Sequence, residues 1–207
     1  MSNKLLSSLA EAKLVPGVAA SLIPEDFKPT TDLRVSFDGK DVEMGNLLRA
    51  SDCRRSPRIQ FAQEVSCRER VRNTLTDEVQ ADAPGDATYM LLLVDPDAPT
   101  PDDPKFAFWR HWVLPGLRPL SSGDAVAQVQ PALTEYLGPG PKDDSKPHRY
   151  LLLLYRQPAS LDLAKEDVGG EEFTQRRSFD TVKFVEKHGL RLVGVNWFLG
   201  AGDGWKE

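Results

Sequence analysis

Tyr89-Met90-Leu91-Leu92-Leu93-Val94, closed by Asp95-Pro96-Asp97-Ala98-Pro99, is the stretch whose reading sets the fold. The first run has no polar face. A short run of this kind, stopped by Asp95-Pro96, reads as a central strand covered on both sides rather than as a buried helix. Pro96, Pro99, Pro101 and Pro104 then fix φ along residues 95–104, which makes a stiff loop at the end of a core strand. Tight turns favour a cis X-Pro bond, and one is expected here. Two more apolar runs follow the same plan. Trp109-Arg110-His111-Trp112-Val113-Leu114 ends at Pro115-Gly116, and Pro147-His148-Arg149 leads into Tyr150-Leu151-Leu152-Leu153-Leu154-Tyr155. If the second run alternates, Trp109, His111 and Val113 share a face. Arg149 beside a buried strand needs a carboxylate, and Asp97 is the expected partner. Asp95, His111 and His148 thus occupy equivalent places at the ends of core strands, and we read them as the floor of one small pocket, with Phe106, Phe108, Trp109 and Trp112 as aromatic wall.

Composition bounds the rest. The chain has 207 residues, 40% of them hydrophobic, which suits one domain with a terminal extension. A formal net charge of −5 argues against general nucleic-acid binding. Cys53 and Cys67 are too few for a disulfide framework and match no zinc spacing, so a reducing, cytoplasmic setting is expected. No run approaches the ~20 apolar residues of a membrane helix. Glu11 and Lys13 interrupt the only apolar segment that resembles a secretory signal.

Residues 2–14 read as an amphipathic helix with Leu5, Leu6, Leu9 and Leu14 on one face. It is either docked on its own domain or an arm that docks on a partner. Pro16, Gly17, Pro24 and Pro29 break the segment that follows, so residues 1–31 form an arm and connector and 32–207 the main domain. Residues 32–37 alternate as a strand, Asp38-Gly39 fits a hairpin turn, and 42–48 run extended or looped. In residues 49–72, seven arginines against three carboxylates leave four positive charges; a solvated strand edge explains this better than a surface for an acidic partner. Ile59, Phe61 and Val65 supply strand positions within it, and residues 74–88 are a polar loop. Residues 117–147 are loop-rich, with 133–136 the ordered part and 142–146 a charged tip. A helix spans 178–188, with Ser178 as N-cap, Gly189 as C′ residue and His188 in a structural role at its end. Residues 190–198 form a last strand before a glycine-containing tail.

An aspartate with two histidines admits three chemistries. Non-haem metal binding lacks a diagnostic spacing. A hydrolase lacks a serine or cysteine in a nucleophile motif, Gly-x-Ser-x-Gly being absent. A pocket for a phosphate ester or other small anion needs only imidazole and backbone donors, and is favoured.

Asp95-Pro96-Asp97-Ala98-Pro99, Trp109-x-His111, the Gly-Pro-rich loop and His148-Arg149-Tyr150, in this order and spacing, resemble the phosphatidylethanolamine-binding protein family across residues 32–198. Met44-Gly45-Asn46 and the N-terminal extension resemble its fungal branch, whose known members inhibit a serine carboxypeptidase, carboxypeptidase Y. The resemblance implies a mainly β (α+β) sandwich. Its parts are a large central antiparallel sheet, a smaller second sheet, an N-terminal helix and a C-terminal helix. It implies a non-enzymatic binder of phosphorylated head groups that needs no metal or cofactor. The partners implied are serine carboxypeptidases or protein kinases, with peripheral membrane contact admitted. Carried over by position, the ligand-binding residues are Asp95, Pro99, Trp109, His111, His148 and Tyr150, with Trp197 or Phe198 as the C-terminal aromatic. Arg110 stands where a histidine is common and Lys146 where glycine is common; both are expected to make the pocket mouth more basic.

Overall fold

The computed structural model describes residues 2–64, 87–120 and 125–207. Among the described residues, nine strands fall into two sheets: β1 (Arg34–Phe37), β2 (Lys40–Asp41), β3 (Leu47–Arg49), β4 (Arg58–Gln60), β5 (Tyr89–Asp95), β6 (Trp109–Pro119), β7 (Val126–Gln128), β8 (His148–Arg156) and β9 (Arg191–Ala201). The large sheet has the order β3-β9-β8-β5-β6-β7 and the small one β2-β1-β4. The helices are α1 (Ser2–Glu11) and α2 (Thr181–Lys187). The expected mainly β fold with two unequal sheets is present. One detail differs: β3 pairs with β9 in parallel, so the large sheet is mixed rather than wholly antiparallel.

The strand β5 is buried at every position, because both its faces carry a core. Met90, Leu92 and Val94 meet Leu151, Leu153 and Tyr155 on the face covered by the helices, together with Leu5 and Leu9 of α1 and Phe184 of α2. Tyr89, Leu91 and Leu93 meet Leu152 and Leu154 on the opposite face, which Val35, Phe37 and Ile59 of the small sheet cover. This layering of helices, large sheet and small sheet is why the run is apolar without alternation.

The strand β6 departs from simple alternation. It pairs Leu93 with Trp112 but Val94 with Arg110, so His111 is the extra residue of a β-bulge. Val113 consequently turns to the helix-side core, away from Trp109 and His111, contrary to strict alternation. A second irregularity lets β6 run through Pro115-Gly116 to Pro119, where a strand end was expected; Gly116 takes the positive φ of 68° that the bend requires. The loop-rich reading of 117–147 therefore missed the short strand β7.

The turn at Asp38-Gly39 has φ of 46° and 87°, joining Phe37 to Lys40 as a two-residue hairpin. The helix expected from Ser178 starts later. Ser178 has a positive φ of 50°, and Asp180 is the cap, its carboxylate accepting from the Lys183 N–H at 3.0 Å. His188 closes α2 and lies buried against Phe184. Within the basic segment, Arg55 pairs with Asp38 and Arg54 with Asp203, while Arg49 bonds the carbonyls of Gly202 and Trp205. Val65, Cys67, Arg68, Arg70, Arg72 and most of the 74–88 loop lie outside the described residues.

The helix α1 lies on its own sheet. Leu9 and Leu14 are fully buried, and Trp197 Nε1 donates to Ser8 Oγ at 3.1 Å. Residues Leu22, Ile23 and Phe27 of the connector join the same core. Truncation of a leucine in this layer should therefore act as a core mutation. Leu9→Ala is expected to lower the unfolding free energy by about 2–5 kcal/mol in urea titrations. A loss below about 0.5 kcal/mol would mean that the arm is not part of the folded core.

Candidate functional site

The site forms where β5, β6 and β8 end together. Strand β5 delivers Asp95, the β6 bulge delivers His111, and β8 delivers His148 and Tyr150 at alternate positions on one face. The Tyr150 ring joins the two imidazoles: its centroid lies 5.2 Å from His111 and 6.3 Å from His148. Phe198 stacks beneath Tyr150 at 5.0 Å, and Trp109 stands 6.4 Å from His111 on the other side. Asp95, Trp109, His111, His148, Tyr150 and Phe198 thus come together. Trp197 does not. Neighbouring residues of a strand face opposite ways, and Trp197 belongs to the helix-side core, packed over Gly45. Pro99 is exposed at the rim, after a cis Ala98–Pro99 bond.

The polar groups are heavily committed. Asp95 is 3% exposed; its Oδ1 accepts from the Asp97 N–H at 2.6 Å and its Oδ2 faces His148 Nδ1 at 2.8 Å. The other nitrogen of His148, Nε2, lies 3.2 Å from Ser145 Oγ. Both nitrogens of His148 are therefore engaged inside the protein, which restricts the expectation that each imidazole offers a donor to an anion. His111 differs: its Nδ1 lies 2.7 Å from the Leu137 carbonyl, which makes that nitrogen the N–H donor and leaves Nε2 without a protein partner among the described residues. Burial holds the His111 pKa below the ordinary imidazole value, although Asp95 and the Leu137 carbonyl pull the other way. Burial also pushes the Tyr150 phenol well above its ordinary value, so its O–H remains a donor at physiological pH. Trp109 Nε1 is buried with no hydrogen-bond partner among the described residues.

The second carboxylate of the loop, Asp97, accepts from Arg149 Nε at 2.9 Å and Nη2 at 2.5 Å, as the sequence led us to expect. Arg149 Nη1 continues to the Ala12 carbonyl at 2.8 Å, tying the end of the N-terminal helix to the pocket loop. Arg110 does not reach the mouth as expected. It is 1% exposed and turns the other way, bonding Thr134 Oγ1 at 2.7 Å and the carbonyls of Val168 and Gly170. Lys146 is exposed and pairs with Asp102 at 2.6 Å.

Four neighbours escaped the sequence reading. Ser145 was hidden in a charged tip, although its place three residues before His148 was a usable signal. Phe173, 60% exposed, packs edge-on against Trp109 at 4.8 Å. Arg177 lies over Phe106 at 4.4 Å and Trp109 at 5.9 Å. Arg176 bonds the His111 carbonyl at 3.2 Å and that of Glu135 at 2.9 Å. The last three come from a segment distant in sequence, and nothing local announces them.

Comparison with known proteins agrees with the fold. The family profile described as phosphatidylethanolamine-binding protein matches residues 38–198. The carboxypeptidase Y inhibitor of Saccharomyces cerevisiae is 30% identical over 194 residues, covering 83% of this chain and 84% of that protein. The rice (Oryza sativa subsp. japonica) protein MOTHER of FT and TFL1 homolog 2 is 28% identical over 184 residues, covering 86% of each. Among solved structures, carboxypeptidase Y inhibitor complexed with its cognate proteinase superposes with a TM-score of 0.72 at 24% identity, covering 97% and 96% of the two chains. The phosphatidylethanolamine-binding protein of Plasmodium vivax superposes with a TM-score of 0.67 at 23% identity, covering 96% and 97%. By sequence profile and by fold, this chain belongs to the phosphatidylethanolamine-binding protein family.

Proposed function

We propose that the pocket binds a small zwitterionic phosphate ester of the phosphorylethanolamine type without transforming it. The observation that carries this reading is Trp109 Nε1–H, a buried donor with no acceptor among the described residues. Such a donor costs about 1–3 kcal/mol, and a phosphate oxygen would recover it. The Tyr150 O–H and, once protonated, His111 Nε2 supply two more donors around the same aromatic wall. Asp95 adds a buried carboxylate beside them, so a ligand carrying an ammonium group as well as a phosphate suits the site better than inorganic phosphate.

A second reading, not exclusive of the first, is inhibition of a serine carboxypeptidase. Its support is the relation to the yeast carboxypeptidase Y inhibitor at 30% identity over most of both chains. Since α1 is part of the core, inhibition would use the assembled surface rather than a detached arm.

Isothermal titration with phosphorylethanolamine should show saturable binding that is lost in His111→Ala. Trp109→Phe should weaken it about tenfold, the worth of one hydrogen bond to a charged group. Absence of wild-type binding at millimolar ligand sinks the proposal.

Acid should strengthen binding. The His111 pKa is lowered in the free protein and an anion favours the protonated ring, so complex formation takes up a proton. Affinity should rise as pH falls through the pKa of the bound ring and level off below the lowered pKa of the free ring, by at most about tenfold per pH unit for one proton. A flat profile between pH 7.5 and 5.5 would remove His111 from the mechanism.

For the second reading, the protein titrated into carboxypeptidase Y should abolish peptidase activity near one-to-one stoichiometry. Full activity at excess protein would dismiss it.

A further inference from the structure

His148 and Ser145 are not among the donors assigned to the anion, although Asp95, which His148 faces, belongs to both arrangements. Asp95 Oδ2 stands 2.8 Å from His148 Nδ1, and His148 Nε2 stands 3.2 Å from Ser145 Oγ. Asp95 is held in turn by the Asp97 N–H on its second oxygen at 2.6 Å. Aspartate, histidine and serine are 3%, 3% and 6% exposed respectively. In the tautomer whose Nδ1–H donates to the carboxylate, Nε2 can accept the Ser145 proton once the hydroxyl turns to it. This is the connectivity of a nucleophilic serine, its base and the group that orients the base, and such a triad is recognised by geometry rather than by sequence motif. The lack of Gly-x-Ser-x-Gly argued against a hydrolase from sequence, but that motif belongs to one fold and does not bear on this one.

We propose that Ser145 is an activated nucleophile that accepts acyl groups from small carboxylic esters. Ser145 Oγ attacks the ester carbonyl as its proton passes to His148 Nε2. The new Oγ–C bond forms, the ester C–O bond breaks, and the departing alkoxide takes the proton from the imidazolium. Water attacks the acyl-serine by the same route, with His148 as base, releasing the carboxylic acid. No oxidant, metal or further reactant is needed. Asp95 is a positioning residue: it fixes the tautomer and steadies the imidazolium. In the resting arrangement the hydroxyl also lies 2.9 Å from the Lys146 carbonyl, a competing acceptor from which it rotates to reach Nε2. The proposal shares Asp95 with the phosphate-ester reading but none of its hydrogen-bond donors, so an adduct at Ser145 and binding of phosphorylethanolamine are read out separately.

The test uses the full chain and two probes, an alkyl fluorophosphonate and p-nitrophenyl acetate. The fluorophosphonate should give one adduct by intact-mass analysis, mapped to Ser145, with fluoride displaced by Oγ. Ser145→Ala should remove the adduct and the nitrophenolate burst. Asp95→Asn, nearly isosteric, and His148→Ala should each slow labelling at least about a hundredfold, the usual contribution of a general base and its support. Labelling elsewhere, or labelling unchanged in His148→Ala, overturns the proposal. If the variants do not fold, the wild type decides alone: modification of Ser145 no faster than that of N-acetylserine amide overturns it equally.

Discussion

A strand buried on both faces cannot end in an unsatisfied carboxylate. Here β5 ends in one, Asp95, and the turn after it adds Asp97; they are 3% and 1% exposed. An ionised carboxylate in such a place needs donors on nearly every lone pair, and losing one partner of a buried pair costs about 3–5 kcal/mol. The neighbouring strand meets the demand with two successive residues. His148 turns to Asp95, and Arg149, whose side chain and backbone N–H both reach Asp97, takes the other. Alternation along β8 sends the two side chains different ways, so the candidate site and its external brace draw on adjacent positions.

That brace extends beyond the pocket. Arg149 has donors left after engaging Asp97, and they bind the carbonyls of Ala12 and Lys13 behind α1. A corresponding tie exists at the other terminus: Asp143, in the loop that carries Ser145, accepts from the Gly204 N–H at 2.9 Å, and Arg49 holds the carbonyls of Gly202 and Trp205. A Cβ at Gly202 or Gly204 would collide with the Asp143 carboxylate, which explains glycine at both places. The loop that carries Asp97 and the loop that carries Ser145 are thereby each tied to a different terminal segment.

The strands that build the site were legible because they are covered on both faces: residues 89–94 and 150–155 have no solvent-facing positions to confuse the period. The Asp97–Arg149 pair was legible for a related reason, since a cation beside such a strand needs a carboxylate. The bulge at His111 was not, because one extra residue leaves the composition of β6 unchanged and alters only its pairing, which depends on β5. The start of α2 was placed too early because Ser178 was read as the cap, whereas it is the Asp180 side chain that accepts from the Lys183 N–H. Arg110 misled for another reason. Sequence shows that a charge is present but not which face of the sheet it enters, and the bulge that follows leaves it paired with Val94 on the helix side.

The two histidines, alike in sequence, are opposites in structure. His148 has both nitrogens committed, one to a carboxylate and one to a hydroxyl oxygen, so its ring is oriented with Nε2 facing Ser145 Oγ. His111 has one nitrogen fixed by a backbone carbonyl, and its burial penalises the charged form. A fixed, carboxylate-supported imidazole suits proton transfer; a buried imidazole with one open nitrogen suits a ligand that brings compensating negative charge. Tyr150, in contact with both rings, separates the two environments while adding a phenol that burial keeps protonated. Occupation of one side by an anion would therefore change the field at His148 without requiring either of its hydrogen bonds to break.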